Sequence, residues 1–520
     1  MSRRRPAGAL PVALAAVVVL SACRAQAPAI PGAIVVAVPS SPANLDPGLG
    51  VDEASQKLHQ LVFSSLLTID DSLRVVPDLA VRFETDDSQT YVAEIPPGVQ
   101  FHDGREMTSA DVAFTFRRFL DPDFTSGRKG AYAELAAVDI LDDYTVAFRL
   151  ERPSASFPIN LVMGIVPEGT GPEARVAPTG SGPYRVVDVV QDDNVTLAAF
   201  EGHHLGPPAN PGLVFKVVPD DTMRGLELRK GTVDLVVNDL APDLVHALRQ
   251  RDDLRVVTAP GTDYAYLGFN LRQPPLDDRR VRLAIGYAID QDAIVRHLRR
   301  NLALPAAGIV PPMSWAFEPD VVRLGHDPAR ARALLDEAGF EDPDGDGPAP
   351  RLRLTLKTST NEAYRLQAAV IQAQLARVGI ALDLRSYELA TLFADVVRGN
   401  VELYTLQYVG VTDPDMLRRA FHSSQVPPGG FNRGYYINPE LDRLVDAATA
   451  ALDPDERAAF YRAAQRVVAA DAPYVSLWTK VNVAVFQADL RNVTLSPTAD
   501  FAFLRHVTRA PGGARAGSAD

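Results

Sequence analysis

Two stretches of this 520-residue chain repeat one order of elements, and that order restricts the fold more than any compositional value. In the first, residues 213–218 read as a strand, 222–228 as a helix, 233–237 as a strand, 240–248 as a helix and 254–257 as a strand. In the second, 352–356 is a strand, 361–378 a long helix stopped by Gly379, and 380–384 a strand; 389–397 is then a helix and 403–408 a strand. Strands alternating with helices of this length pair in parallel through right-handed crossovers, so each stretch predicts an open α/β lobe. Such sheets bind ligands in crevices beyond the carboxyl ends of their strands, which places the expected site between the lobes. The aromatic run 264–270 reads as the segment that crosses between them, and 474–478 with 481–486 as the return.

The same periodicities read the rest of the chain. Residues 33–38 form a short apolar strand, and 52–68 carry one helical stripe through Leu58, Leu61, Val62, Ser65 and Leu66. A β-rich stretch follows, with 91–95 and 99–101 flanking the turn Pro96-Pro97-Gly98. Thr108 and Asp111 then cap a helix carrying Val112, Phe114, Phe116 and Phe119. Asp290 is the expected N-cap between helices at 278–289 and 291–300. The tail at 511–520 is Gly/Ala-rich and is expected to be disordered.

Net charge and cysteine usage narrow the function. The chain carries 52 basic and 65 acidic side chains, a net charge of −13, which opposes a phosphate backbone and argues against nucleic acid as partner. Its single cysteine, Cys23, can form neither an internal disulfide nor a multi-cysteine zinc site. Residues 1–5 are basic, 7–19 are apolar, and Leu20-Ser-Ala-Cys23 follows. A basic head, a short apolar run and a small-residue exit read as a secretory signal over 1–22. The ending resembles the bacterial lipobox, which implies diacylation of Cys23 as the mature N-terminus, with 23–32 as a tether. Beyond this segment no apolar run reaches the length of a bilayer span.

The usual catalytic signatures are missing. There is no Gly-x-x-x-x-Gly-Lys-Ser/Thr loop and no His-Glu-x-x-His, and Gly180-Ser-Gly182 is not a nucleophile elbow. The adjacent His203 and His204 read as a solvated loop, because side chains at neighbouring positions point apart. Asp342-Pro-Asp-Gly-Asp-Gly347 opens like a calcium loop, but Arg353 stands where the bidentate Glu is needed and a strand follows instead of a helix. It reads as a polar turn. No metal and no cofactor is expected.

The motifs, taken in order, carry a family pattern. They are Leu66-Leu-Thr-Ile-Asp70, Pro77-Asp-Leu-Ala80, Val99-Gln-Phe-His-Asp-Gly-Arg105 and Thr108-Ser-Ala-Asp-Val-Ala-Phe-Thr-Phe-Arg-Arg118; Thr179-Gly-Ser-Gly-Pro-Tyr184 and Asp278-Arg-Arg-Val-Arg-Leu-Ala-Ile-Gly-Tyr-Ala-Ile-Asp290 follow. The segment from Asp327 to Gly339, Asn438-Pro-Glu-Leu-Asp442 and Ala472-Pro-Tyr-Val-Ser-Leu-Trp478 complete the series. Across almost its whole mature length the chain resembles the peptide/nickel-type extracellular solute-binding proteins of ABC transporters, bacterial family 5. The resemblance implies a periplasmic-binding-protein-like two-lobe α/β Venus flytrap with an additional α+β domain inserted in the N-terminal lobe. Domain I would comprise 33–50, 172–266 and 481–510, domain II the insert 51–171, and domain III residues 267–480. It further implies a monomeric, membrane-anchored extracytoplasmic protein that captures oligopeptides or dipeptides and delivers them to an ABC permease and its ATPase subunits. A nickel chelate, haem or sugar is an alternative solute; a secreted hydrolase or a ligand-sensing lipoprotein is an alternative role.

Strand ends supply the candidate ligand-binding residues. They are Ser40 after the first strand, Asn238 after Val237, Thr358 and Thr360 after Leu356, Tyr387 after Leu384, and Tyr408 and Asp413 after Leu406. Asn270 lies on the crossing, and Asn432 and Tyr435 precede the Asn-Pro-Glu-Leu-Asp motif. Hydroxyls, amides and phenols supply both donors and acceptors for a peptide backbone. One departure matters: dipeptide binders of the family place an amine-binding aspartate three residues before the Asp-Pro pair, and here that position is Gly410. Another acid, with Glu388 the candidate, must substitute, or the ligand is not a free dipeptide.

Overall fold

The computed structural model describes residues 30–511 except Val322 and Asp346. The signal segment, Cys23 and most of the Gly/Ala-rich tail lie outside the described residues. No helix among the described residues is long and apolar enough to cross a membrane.

An 11-stranded sheet runs through both α/β halves. From one edge its order is Ile380–Tyr387, Leu352–Ser359, Leu403–Tyr408, Leu254–Phe269, Tyr474–Gln487, Leu235–Val237, Ile34–Val38, Gly212–Val217, Asn194–Ala199 and Tyr184–Val190. Ala303–Pro305 adds to Tyr474–Gln487 beside this path. The predicted parallel pairs form: Ile34–Val38 lies parallel to Gly212–Val217 and to Leu235, and Leu352–Ser359 parallel to Ile380–Tyr387 and Leu403–Tyr408. The expectation of two purely parallel sheets is corrected. Tyr474–Gln487 enters antiparallel between Leu235–Val237 and Leu254–Phe269, and the latter is antiparallel to Leu403–Tyr408. The reason is that both crossing segments are long strands that belong to the two halves at once.

Each half of the sheet packs its own core. Val36, Leu213, Phe215, Leu235 and Phe486 centre one. Leu267, Leu354, Leu356, Ile371, Leu375 and Leu403 centre the other. Residues 66–165 contribute a third cluster, in which Phe101, Phe116, Phe148 and Phe157 pack over a four-stranded antiparallel sheet. Its strands are Arg82–Glu84, Thr90–Glu94, Leu135–Ile140 and Thr145–Leu150. The expected cap is present on helix Ser109–Arg117, where the Thr108 N–H donates to the Asp111 carboxylate at 2.8 Å.

The helix expected over 52–68 is shorter than its stripe. Asp52 caps Glu53–Val62, and the chain leaves the helix at Phe63 to enter the strand Leu67–Ile69. What ends it is the Thr-Gly-Ser-Gly-Pro-Tyr motif. The Gly182 N–H donates to Val62 O at 2.9 Å, and the Ser64 hydroxyl donates to Ser181 O at 3.1 Å. A Cβ on Gly180 would overlap the Val62 carbonyl, and one on Gly182 would lie 2.7 Å from Leu61 O, so the motif serves a backbone-to-backbone approach. Gly180→Ala is therefore expected to cost several kcal/mol, on the order of other overpacked buried positions. Chemical denaturation checks this; a loss within about 0.5 kcal/mol would contradict it.

Candidate functional site

The register of the two long strands locates the site. Leu254 pairs with Gln487 and Gly268 with Tyr474, so travel along them passes from one half of the sheet into the other. Leu235–Val237 pairs with Phe486 to Ala484, and its carboxyl end points toward residues 479–482. Leu403–Tyr408 pairs with Phe269 to Tyr264, and its carboxyl end points toward the same place from the opposite side. The carboxyl ends of the two halves thus face each other across the middle of the crossing. There the pairing breaks, with a register shift between Pro260 and Tyr264. Residues 261–263 are free of the ladder at the point where two halves would hinge.

Charged side chains gather at this break. The Asp263 carboxylate accepts the Gly410 N–H at 2.9 Å and pairs with Lys480 at 3.4 Å. The Val411 N–H donates to Thr262 O, so the loop after Leu403–Tyr408 rests on the unpaired residues. On the other half, Lys57 pairs with Glu53 at 2.7 Å and lies 5.0 Å from the centre of the Phe501 ring. Burial raises the pKa of Glu53, but Lys57 and then Lys480 outweigh it and hold the carboxyl below its ordinary value. Burial pushes Asp239 up, against the pull of Lys57, Arg224 and Lys480. Three carboxylates and two ammonium groups therefore share one electrostatic neighbourhood, in which a ligand carrying both signs can be matched. Sequence reading missed Glu53, Lys57, Asp239, Asp263 and Lys480. The available signal was that Lys480 is the one charge in the strand Tyr474–Gln487, and that Asp263 follows a Pro-Gly break in an apolar strand.

The sequence-predicted residues divide by position. Ser40 is exposed just beyond the carboxyl end of Ile34–Val38. Asn238 stands at the crossing with a left-handed backbone, φ +65°, and its amide is committed there: it donates to Asn482 Oδ1 and accepts the Val483 N–H. Thr360 is exposed and donates to Glu388, and Tyr387 is half-buried under Lys357. The Tyr408 ring is buried and stacked 5.1 Å from Tyr266, with its hydroxyl donating to Phe431 O. Burial pushes the Asp413 carboxyl up, with Arg457 opposing at 3.7 Å and the Ser156 hydroxyl beside it.

Four of the expected residues, and the expected acid Glu388, are engaged elsewhere in the fold. Thr358 is buried and shares its hydroxyl bond with Thr405, because it lies on the same face as Leu352, Leu354 and Leu356. Asn270 is fully buried at the far end of the crossing strand, where its amide donates to Gly399 O and Val401 O. Tyr435 lies at that same far end, its ring covered by Arg272 at 3.4 Å. Leu403–Tyr408 spans five steps, so this end is roughly 17 Å from the break. Asn432 is fully buried, and its amide is spent on the backbone oxygens of His422 and Tyr436. Glu388 accepts from Thr360, whereas the acid that touches Gly410 is Asp263. Among the described residues no cluster of three or more histidine or carboxylate side chains is arranged to hold a metal.

Comparison with known proteins agrees with this architecture. A glutathione-binding protein, GsiB of Salmonella typhi, is 29% identical over 488 residues, covering 90% of this chain and 93% of that protein. A dipeptide-binding protein of Escherichia coli is 28% identical over 431 residues, covering 77% and 80%. The oligopeptide-binding protein AppA of Bacillus subtilis, solved with a nonapeptide, superposes with a TM-score of 0.75 at 27% identity, covering 92% of this chain and 99% of that one. The family model described as bacterial extracellular solute-binding proteins, family 5, middle region, matches residues 74–427, well over half the chain. The chain belongs to the bacterial extracellular solute-binding proteins of family 5.

Proposed function

We propose that this protein is the peptide-capturing subunit of an ABC importer, binding its cargo at the break in the crossing strands and handing it to a permease driven by separate ATPase subunits. The observation that carries the reading is the facing of strand carboxyl ends across residues 261–263, with Asp263 at the backbone of Gly410. In this reading Asp263 receives the ligand's α-ammonium, from the crossing strand instead of from the loop after Tyr408. Lys480 and Lys57 answer its carboxylate. Names of relatives that bind glutathione, dipeptides and a nonapeptide support the ligand class.

The domain division expected from the sequence is retained in the proposal, with residues 51–171 inserted into lobe one and 267–480 as lobe two. So is attachment to the extracytoplasmic face through an acylated Cys23. Ligand touches both halves only when they are together, so binding shifts the population toward the closed form.

Calorimetric titration with short peptides is the test. Asp263→Asn is expected to weaken free-amine peptides at least tenfold, since a desolvated ammonium loses its partner charge. N-acetylated peptides should be affected less than threefold. Equal losses for both, or no loss for either, would reject the assignment of Asp263.

A further inference from the structure

A cavity of about 440 Å³ opens between lobe one and the inserted region, apart from the crossing. Among the described residues, none of its lining side chains comes from the stretch between Leu205 and Ser496, which contains the whole second half of the sheet. Its volume falls in the range of small-molecule pockets. Gln56 and His59 of helix Glu53–Val62 form one wall, Asp78 and Arg128 of the inserted region a second, and His204 and Arg505 of lobe one a third.

The state of the polar groups on these walls sets the chemistry of an occupant. Arg128 has no ion pair among the described residues; the one hydrogen bond of its guanidinium among them is from Nη2 to Gly50 O at 3.4 Å, and its Nε is buried with no partner. Among the described residues the Arg505 guanidinium likewise donates only to the carbonyls of Leu205 and Gly206 and forms no ion pair with a carboxylate. Both ring nitrogens of His204 are buried without partners. Three carboxylates, Asp71, Asp78 and Asp500, also line the cavity, and among the described residues none of them forms an ion pair with either guanidinium. The Asp500 carboxylate is already occupied by the Ser496 and Thr498 hydroxyls and the Ala502 N–H. The Asp78 carboxylate accepts from the Ser65 hydroxyl at 3.4 Å, and burial raises its pKa, with Ser65 and then Arg505 opposing. Two guanidinium groups that form no ion pair among the described residues and an unsatisfied imidazole therefore line one space, which they share with three carboxylates.

We propose that this cavity is a second binding site, for a small organic anion whose carboxylate or phosphate groups are held by Arg128 and Arg505 and hydrogen-bonded by His204. Guanidinium groups suit both kinds of oxyanion through paired N–H donors. Because Arg128 belongs to the inserted region and Arg505 to lobe one, an occupant fastens these two parts together without touching the second half of the sheet.

The test is titration calorimetry on the mature full-length chain with citrate, and separately with inorganic phosphate, each with and without saturating peptide. The expected result is one citrate or phosphate per chain, bound equally well with peptide present. Citrate at least tenfold tighter than phosphate identifies a carboxylate ligand, and the reverse order a phosphate ligand. Arg128→Gln and Arg505→Gln should each weaken the preferred anion at least tenfold while leaving peptide affinity within twofold. His204→Phe, which keeps both charges and fills the space, should weaken it as much, and it serves where an arginine variant does not fold. Failure of both anions to bind, anion binding that all three substitutions leave intact, or competition with peptide would overturn the proposal.

Discussion

Acidification from pH 6.5 toward about 4 is expected to remove several kcal/mol of stability through buried histidines. Burial, the largest cause in each case, holds His59, His102 and His203 down to about 4 from the ordinary 6.5. A histidine depressed in the fold stays neutral there while the unfolded chain takes up its proton first. Its contribution is therefore complete above 6.5 and is lost as the pH falls through the window to about 4. The shift corresponds to roughly 3 kcal/mol for each well-buried ring. His59 and His203, only 7% and 6% exposed, carry most of it, about 6 kcal/mol together as an upper bound. Asp78, Asp239 and Asp413, whose pKa values are raised, act in the opposite direction on acidification. The histidine part is isolated by comparing melting temperature against pH for the wild type and for a His59→Gln, His203→Gln double variant. The variant should show the flatter acid limb; an unchanged slope would contradict the assignment.

The second large effect concerns Arg457. It sits 3.7 Å from the partly buried Asp413, contacts the Ser156 hydroxyl and lies 5.2 Å from the centre of the Trp315 ring. Arg457→Leu leaves the partly buried Asp413 with no counter-charge, a change expected to cost up to about 3 kcal/mol, the low end for a buried pair because the carboxylate keeps some exposure. Removing the stranded charge as well, in Arg457→Leu with Asp413→Asn, should recover most of that loss. Equilibrium denaturation of the two variants decides the matter. A single variant that loses less than about 1 kcal/mol, or a double variant as unstable as the single, would show that the pair is not coupled. The location adds a consequence for motion. Around Arg457 the inserted region meets the second half of the sheet: the Ala155 N–H donates to Thr449 O and the Trp315 N–H to Ser72 O, each at 3.1 Å. These contacts join parts that the hinge proposed at 261–263 would move relative to each other, so in that reading the Arg457 cluster holds them in contact.

Local patterns carried most of the architecture. The alternation of short apolar runs with amphipathic stretches placed the strands and helices of both halves. Asp278 and Asp290 marked real helix starts because a short carboxylate can satisfy the first free N–H groups, at Arg280 and Ala293. Pairing partners were not legible, since nothing local says that Tyr474–Gln487 inserts antiparallel beside Leu235–Val237. That long-range pairing also decides the fate of Asn270. The two crossing partners run in opposite directions, so the end of Leu254–Phe269 lies at the start of Leu403–Tyr408, away from the break.

Thr358 could have been read correctly. Strand parity sets it with Leu352, Leu354 and Leu356 on the inward face, and only its position near a strand end argued otherwise. Asp263 and Lys480 were passed over for a related reason. Their strands were read for apolar continuity, whereas the informative feature was the charge that interrupts each of them. The cavity holding Arg128, His204 and Arg505 draws its walls from segments more than 70 residues apart, a proximity that only the folded chain displays.

Small-angle scattering of the mature chain, with and without a saturating peptide that calorimetry shows to bind, tests the clamp most directly. Closure of the two halves about residues 261–263 predicts a smaller radius of gyration in the bound sample. A radius unchanged at full occupancy would contradict it.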